Sequence, residues 1–295
     1  MKITGLDMAI IEGQTAVFTL KTASGHSGQG EANIANPEAA SDALRDCLLG
    51  ANPSKPRQIG QLLNEHGIEP AVKAAIDIAC WNIQADAVGL PLAHLLGGTI
   101  NGDIPSAPVC HTVDEVEHFQ ASTVPILFLP MSGELAADRD LLLAAGAKLW
   151  PGQRLIVAVG GKWGAEAASG LETAVRPYKI TFLQPCATYE ACRAFQQHVR
   201  KPIIWDAEML NHAQRFQAYR EGVLDHIHLD IQAVGSLTTA VALRDLCVQL
   251  YIPMLFGSPE IGKLGLQAAR ALARSTPERF RTAVITPTWP AAYAP

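Results

Sequence analysis

Two carboxylates close short β-forming runs in the second half of the chain: Asp206 after Ile203-Ile204-Trp205, and Asp230 after His226-Ile227-His228-Leu229. Acids at strand ends, with Glu208 and Glu260 in the adjoining loops, could hold a cation between them or share a proton. The competing reading is of hydrogen-bonded acids on a rim, since paired acids work only at the right geometry. Of the nine lysines, Lys162 and Lys263 follow β-like runs, where either could act as a base or pair with a substrate carboxylate. Lys179 and Lys201 precede such runs instead. His226 and His228 flank Ile227, so strand alternation sets both on one face with Asp230. A His/His/Asp row invites a metal, but the preferred reading is a packed or hydrogen-bonded pair. Gly160-Gly161 and Gly257 could turn N–H groups toward an anion, which is a weak signal. No Walker or dinucleotide fingerprint occurs.

What would position these groups is an alternation of β-like runs and helical stretches that starts after Asn101-Gly102. The runs are 104–110, 125–130, 154–159, 180–184, 202–206, 226–231 and 252–256. Helical stretches fill 134–149, 163–175, 188–199, 210–221, 235–249 and 262–274. Such alternation implies a parallel sheet with right-handed crossovers, and seven units in a row imply a closed βα barrel. Chemistry in a barrel of this kind sits at the C-terminal strand ends. Those ends are Phe128-Leu129-Pro130, Ala158-Val159-Gly160, Leu183-Gln184-Pro185, Asp206-Ala207-Glu208 and Phe256-Gly257-Ser258, with Asp230 on the sixth strand. Phe128, Gln184, Glu208, His228, Phe256 and Glu260 are therefore the expected pocket or substrate-facing residues. Trp163 reads as packing for the loop and helix after the third strand.

Upstream, Met8–Ile11 and Thr15–Leu20 read as a hairpin across Glu12-Gly13-Gln14, with a third strand near Gly28–Glu31. Helices start at Asn36 or Pro37 and at Pro56, and Val72, Ala75, Ile76, Ala79 and Ile83 repeat at helical spacing before Gly89. The expected division is an α+β domain over 1–100 and a barrel over 101–276, with a tail, 277–295, packing on the first domain.

Composition narrows the class. The chain is 48% hydrophobic and 17% charged, with a net charge of -5, against about 25% charged in an average soluble protein. It is too apolar to be disordered and too acidic for a general nucleic-acid binder. No apolar run approaches the roughly 18 residues a membrane helix needs. The six cysteines contain no CxxC pair and read as small buried hydrophobes. The first residues lack the basic head and apolar run of a signal peptide, so the expectation is a cytoplasmic protein.

The run Ala71-Val72-Lys73-Ala74-Ala75-Ile76-Asp77-Ile78-Ala79-Cys80-Trp81-Asn82, continuing to Gly89-Leu90-Pro91-Leu92 and Leu95-Leu96-Gly97-Gly98, resembles the cap-domain helix of the enolase superfamily. It is similar in particular to the mandelate racemase and muconate lactonising enzyme branch, over almost the whole chain. Pro185-Cys186-Ala187-Thr188-Tyr189-Glu190-Ala191-Cys192 and Arg244-Asp245-Leu246-Cys247-Val248 resemble the subgroup of hydroxyproline dehydratases and proline-betaine epimerases. The resemblance implies a (β/α)7β TIM-like barrel with an N-terminal α+β capping domain. It also implies Mg²⁺ held by acids on the third, fourth and fifth strands, and lysines on the second and sixth that move an α-proton. The cation neutralises the enediolate formed beside the substrate carboxylate.

At the positions that match, most of this chemistry is missing. Phe128 and Pro130 stand where the second-strand lysines would, and Asp230 where the sixth-strand lysine would. Ala158 and Leu183 replace two metal acids, and Asp206 is the one that survives. Glu12-Gly13-Gln14 takes the place of the long substrate-covering loop. The expectation is a divergent member without Mg-dependent α-proton abstraction, acting as a pseudoenzyme, a binder of a small carboxylate, or a partner of an active relative. It is expected to be a homo-oligomer, with no nucleic acid, membrane or resident cofactor. The alternative is an active isomerase or dehydratase on a small carboxylate such as a proline derivative. Asp206, Asp230, Lys162, Lys263, Glu208 and Glu260 would then be its relocated working groups, and Mg²⁺ would enter in that case.

Overall fold

The computed structural model describes residues 1–11, 15–34, 37–100 and 102–287. The expected turn at Glu12-Gly13-Gln14, a helix start at Asn36, and residues 288–295 lie outside them. Internal contacts divide the chain into two units. One comprises Met1–Gly102, Leu229–Gln249 and Ile261–Glu278; the other comprises Asp103–His228, Leu250–Glu260 and Arg279–Pro295.

The first unit begins with an antiparallel sheet, β1 (Ile3–Ile10), β2 (Thr15–Thr22) and β3 (Ser27–Asn33), in the order β1-β2-β3. Helices α1 (Pro37–Leu48), α2 (Pro56–Glu65), α3 (Pro70–Val88) and α4 (Leu92–Leu95) follow. Proline at the start of α2 and α3 costs no hydrogen bond, because the first helical N–H groups have no intrahelical partner. Gly89, at φ 66°, ends α3 in the left-handed conformation that glycine adopts without strain. The α3 stripe Val72, Ala75, Ile76, Ala79 and Ile83 packs with Phe18 and Leu20 of β2 and with Leu44 and Leu63, as its spacing predicts. Gly30 of β3 lies so close to α3 that an added Cβ would fall 1.9 Å from the Ala75 carbonyl oxygen. No side chain fits there.

The second unit contains an eight-stranded sheet. Its strands in chain order are β4 (Ser106–Pro108), β5 (Ile126–Pro130), β6 (Arg154–Ala158), β7 (Ile180–Leu183), β8 (Ile203–Asp206), β9 (His226–Leu229), β10 (Met254–Phe256) and β11 (Arg281–Thr286). Between them run α5 (Val113–His118), α6 (Leu135–Ala147), α7 (Ala167–Val175), α8 (Tyr189–Val199), α9 (His212–Arg220), α10 (Leu237–Gln249) and α11 (Lys263–Arg274). The paired strands are parallel, and the Cys110 N–H donates to the Phe128 carbonyl at 2.8 Å, joining the two edge strands into a barrel. Alternation sorts the side chains. Leu127, Leu129, Leu155 and Val157 face the helices, whereas Ile126, Phe128, Ile156, Leu183, Ile204, Leu255, Ala283 and Ile285 fill the interior.

Two elements differ from the sequence-based expectation. The barrel does not end at 276, because Arg281–Thr286, inside the expected tail, is its eighth strand between β4 and β10. The short helix α5 is opened by Thr112, whose hydroxyl accepts from the Glu115 N–H at 3.2 Å. Helices α10 and α11, which alternate with barrel strands in sequence, belong by contacts to the first unit. Each begins at a buried carboxylate of that unit. Asp77 of α3 accepts from the Thr238 N–H at 2.7 Å and from its hydroxyl at 2.9 Å. Glu31 of β3 accepts from the Gly265 N–H at 2.8 Å. Helix N-termini leave N–H groups unpaired and favour negative charge, so these acids serve as caps supplied from elsewhere in the chain.

Candidate functional site

The C-terminal ends of the barrel strands form a row of neighbours fixed by register. Pro130 pairs with Ala158, Ala158 with Leu183, and one step inward Leu183 pairs with Ile204. Phe128 and Leu183 are 1% and 4% exposed and belong with Ile204, Leu255 and Val109 to the apolar barrel interior, against which Ala158 also packs. Four positions expected to carry a base or a metal ligand are therefore apolar. Phe256 departs from expectation: Leu255 faces the interior, so Phe256 lies on the opposite face of β10 and does not line the mouth.

Beyond this row, β8 and β9 bring Asp206 opposite His228. The His228 ring is almost fully buried. Its Nδ1 lies 2.5 Å from Asp206 Oδ1, and its Nε2 lies 2.6 Å from the Gly257 carbonyl oxygen. Both ring nitrogens are therefore engaged by oxygen atoms of the protein. Asp206, 22% exposed at its side chain, is thus held by an internal side chain.

Gln184, at φ 44°, is committed within the protein. Its amide donates to the Cys186 carbonyl at 2.7 Å and to the Met209 sulfur, while its Oε1 accepts from the Asp206 N–H at 3.3 Å. Lys162 is exposed and donates to the Met131 carbonyl at 3.1 Å, beyond β5. Glu208 and Glu260 are exposed. Asp230 belongs to the first unit and accepts from the Gln232 N–H at 2.9 Å; Lys263, in the same unit, is the exposed first residue of α11. Trp163 is buried against Phe182 and Phe195, as its reading as packing requires.

The sequence reading missed Asp138. This buried acid accepts from Ser132 N and Oγ and Gly133 N, all at 2.8 Å, and from Trp163 Nε1 at 3.1 Å. Burial alone would push its carboxyl up, but these hydrogen bonds together hold it below the usual carboxylate range. The available signal was an acid in the first turn of a helix just after a Ser-Gly turn. All six cysteines are buried with free thiols.

A magnesium-type ion needs several oxygen ligands in near-octahedral geometry. Of the three positions that the resemblance assigns to it, Ala158 and Leu183 offer no side-chain oxygen, and Asp206 is bound to His228. These residues do not fit such an ion. Among the described residues, no three His, Cys, Asp or Glu come together to hold one.

Comparison with known proteins agrees with the architecture. The mandelate racemase/muconate lactonizing enzyme N-terminal domain matches residues 5–97, and the enolase C-terminal domain-like family matches residues 113–294. A cis-3-hydroxy-L-proline dehydratase from Roseibium aggregatum is 29% identical over 242 residues, which is 79% of this chain and 65% of that protein. The chain thus spans just under two thirds of that relative's length. Among solved structures, a dipeptide epimerase from Enterococcus faecalis V583, complexed with Mg and the dipeptide L-Leu-L-Tyr, superposes with a TM-score of 0.83 at 20% identity, covering 97% of this chain and 90% of that one. An enolase-superfamily member from Roseovarius nubinhibens ISM, complexed with magnesium, gives a TM-score of 0.75 at 25% identity, covering 96% and 84%.

Proposed function

Because the chain belongs to the mandelate racemase/muconate lactonising enzyme group of the enolase superfamily, we propose that it keeps the scaffold of that group without its Mg-assisted α-proton abstraction. Its role is then that of a ligand-binding or partner subunit in the cytoplasm, assembling with copies of itself or with an active relative. One observation carries the reading: Pro130, Ala158 and Leu183 stand side by side where a base and two metal acids would be needed. An α-proton beside a carboxylate is very weakly acidic, and removing it requires both a base and a cation to neutralise the enediolate. Phe128 and Pro130 have no group that accepts a proton.

The relatives point to the substrates to try. Purified protein with cis-3-hydroxy-L-proline or L-Leu-L-Tyr in D₂O, with and without Mg²⁺, is expected to show no exchange at the α-carbon by proton NMR. Mg-dependent exchange would overturn the proposal.

A second reading rests on the partial exposure of Asp206 at the strand end. In it an isomerase or lyase uses relocated groups, Asp206 and Lys162 first among them. It requires turnover of some small carboxylate that Asp206→Asn abolishes.

A further inference from the structure

A cavity of about 460 Å³ opens among the N-terminal ends of the barrel strands, the opposite end from the row just described. Its charged lining is Arg154, Arg176, Lys179 and Lys201, with His226 and Tyr178 beside them. Its apolar lining includes Ile126, Ile156 and Ile204 from the barrel interior. No Asp or Glu lines it. In a chain whose net charge is -5, two arginines and two lysines around one concavity are a local reversal of sign, although burial pulls the Lys201 ammonium below the usual lysine range.

Among the described residues, no carboxylate forms an ion pair with any of the four. Lys201 donates to the carbonyls of Tyr178, at 2.7 Å, and Arg176, at 3.3 Å, which anchor it without removing its charge. Asp225, next to His226 in sequence, accepts from Gln196 Nε2 at 2.9 Å. His226 Nδ1 is buried without a hydrogen-bond partner. Burial first, and the charge of Arg154 second, pull the His226 ring down to about 4, the response expected in a desolvated, positive environment.

We propose that this cavity binds a small phosphate-bearing metabolite, its phosphate held by Arg154, Arg176, Lys179 and Lys201 and its less polar part lying against Ile126, Ile156 and Ile204. Guanidinium forks match tetrahedral oxyanions in two-point hydrogen bonds, and a monoanion would leave most of this charge unopposed. The volume suits a small molecule. The proposal is independent of the function proposed above, because its residues lie at the other end of the strands.

The test is calorimetric titration and thermal shift of the full chain with inorganic pyrophosphate, with ribose 5-phosphate, and with citrate as a carboxylate of comparable charge. Saturable one-to-one binding of the phosphates, more than about tenfold tighter than citrate, is expected. Arg154→Gln and Arg176→Gln should each weaken it by about tenfold or more, as loss of a charged hydrogen bond requires. Arg220→Gln, removing an exposed cation of α9, should leave it unchanged. Both arginines tested are exposed, so far-UV circular dichroism should show intact folding. No saturable binding, citrate bound as tightly as phosphate, or affinity untouched by both arginine substitutions would overturn it.

Discussion

The ring of His228 stands between the Asp206 carboxylate and the Gly257 carbonyl, 2.5 Å from one and 2.6 Å from the other. A ring so placed occupies the Asp206 oxygen that a bound metal would otherwise use. It has no nitrogen left to face a substrate, so the pair acts as a strut between β8 and the segment after β10.

Removing the ring should therefore be costly. His228→Leu is expected to lower stability by about 3 kcal/mol, toward the lower end for a broken buried pair because Asp206 keeps some exposure. Adding Asp206→Leu should restore part of the loss. Urea titration of the two variants measures it, and a double variant no more stable than the single one would contradict the strut.

Leu183 tests whether the strand ends are a dry interior. At 4% exposure among apolar neighbours, Leu183→Glu should cost about 3 kcal/mol or more. A loss below about 0.5 kcal/mol, the range of ordinary surface changes, would mean water already reaches that position.

Asp77 gives a pH signature. Burial pushes its carboxyl up to about 6, against the opposing hydrogen bonds from Thr238 and Leu237. A raised carboxyl favours the folded state while it is protonated. That stabilisation is complete below about 4, the unfolded value, and is lost as pH rises through about 6. The stability difference between wild type and Asp77→Asn should therefore fall across this window; a flat difference would count against it.

His226 gives the opposite slope. Its ring titrates near 4 in the folded chain, below the ordinary histidine value of 6.5. Its contribution is therefore full above about 6.5 and is lost as pH falls through about 4. His226→Gln should remove this acid sensitivity, measured by thermal melts from pH 7 to 4. Unchanged sensitivity would mean that the ring is hydrated.

Gly30→Ala should cost roughly 3 kcal/mol, because a new methyl would meet the Ala75 carbonyl and force β3 and α3 apart. An alanine variant as stable as wild type in guanidinium would refute that close approach.

Much of the fold was legible because local periodicity carries it. The α3 stripe from Val72 to Ile83 and the β/α alternation each repeat within a few residues, and the structure confirms both. The eighth strand escaped because Arg281–Thr286 is one isolated run whose partners, Ser106–Pro108, lie at the far end of the alternation. The site was less legible. Which residues lack a proton-accepting group can be read from identity, so Phe128, Ala158 and Leu183 stood out at once. Their partnership cannot: the Asp206–His228 pair depends on the register between two strands. Phe256 was misplaced because a three-residue strand offers too little alternation to tell inside from outside.

The two borrowed caps bear on how such proteins exchange parts. Thr238 and Gly265 take their helix-starting acceptors from Asp77 and Glu31, far earlier in the chain. A chimera that traded residues 1–102 between relatives would have to carry a carboxylate at both places, or strand two acids and two helix starts at once. The covalent boundary near 102 is thus a poor place to cut, and the separable module is the discontinuous one.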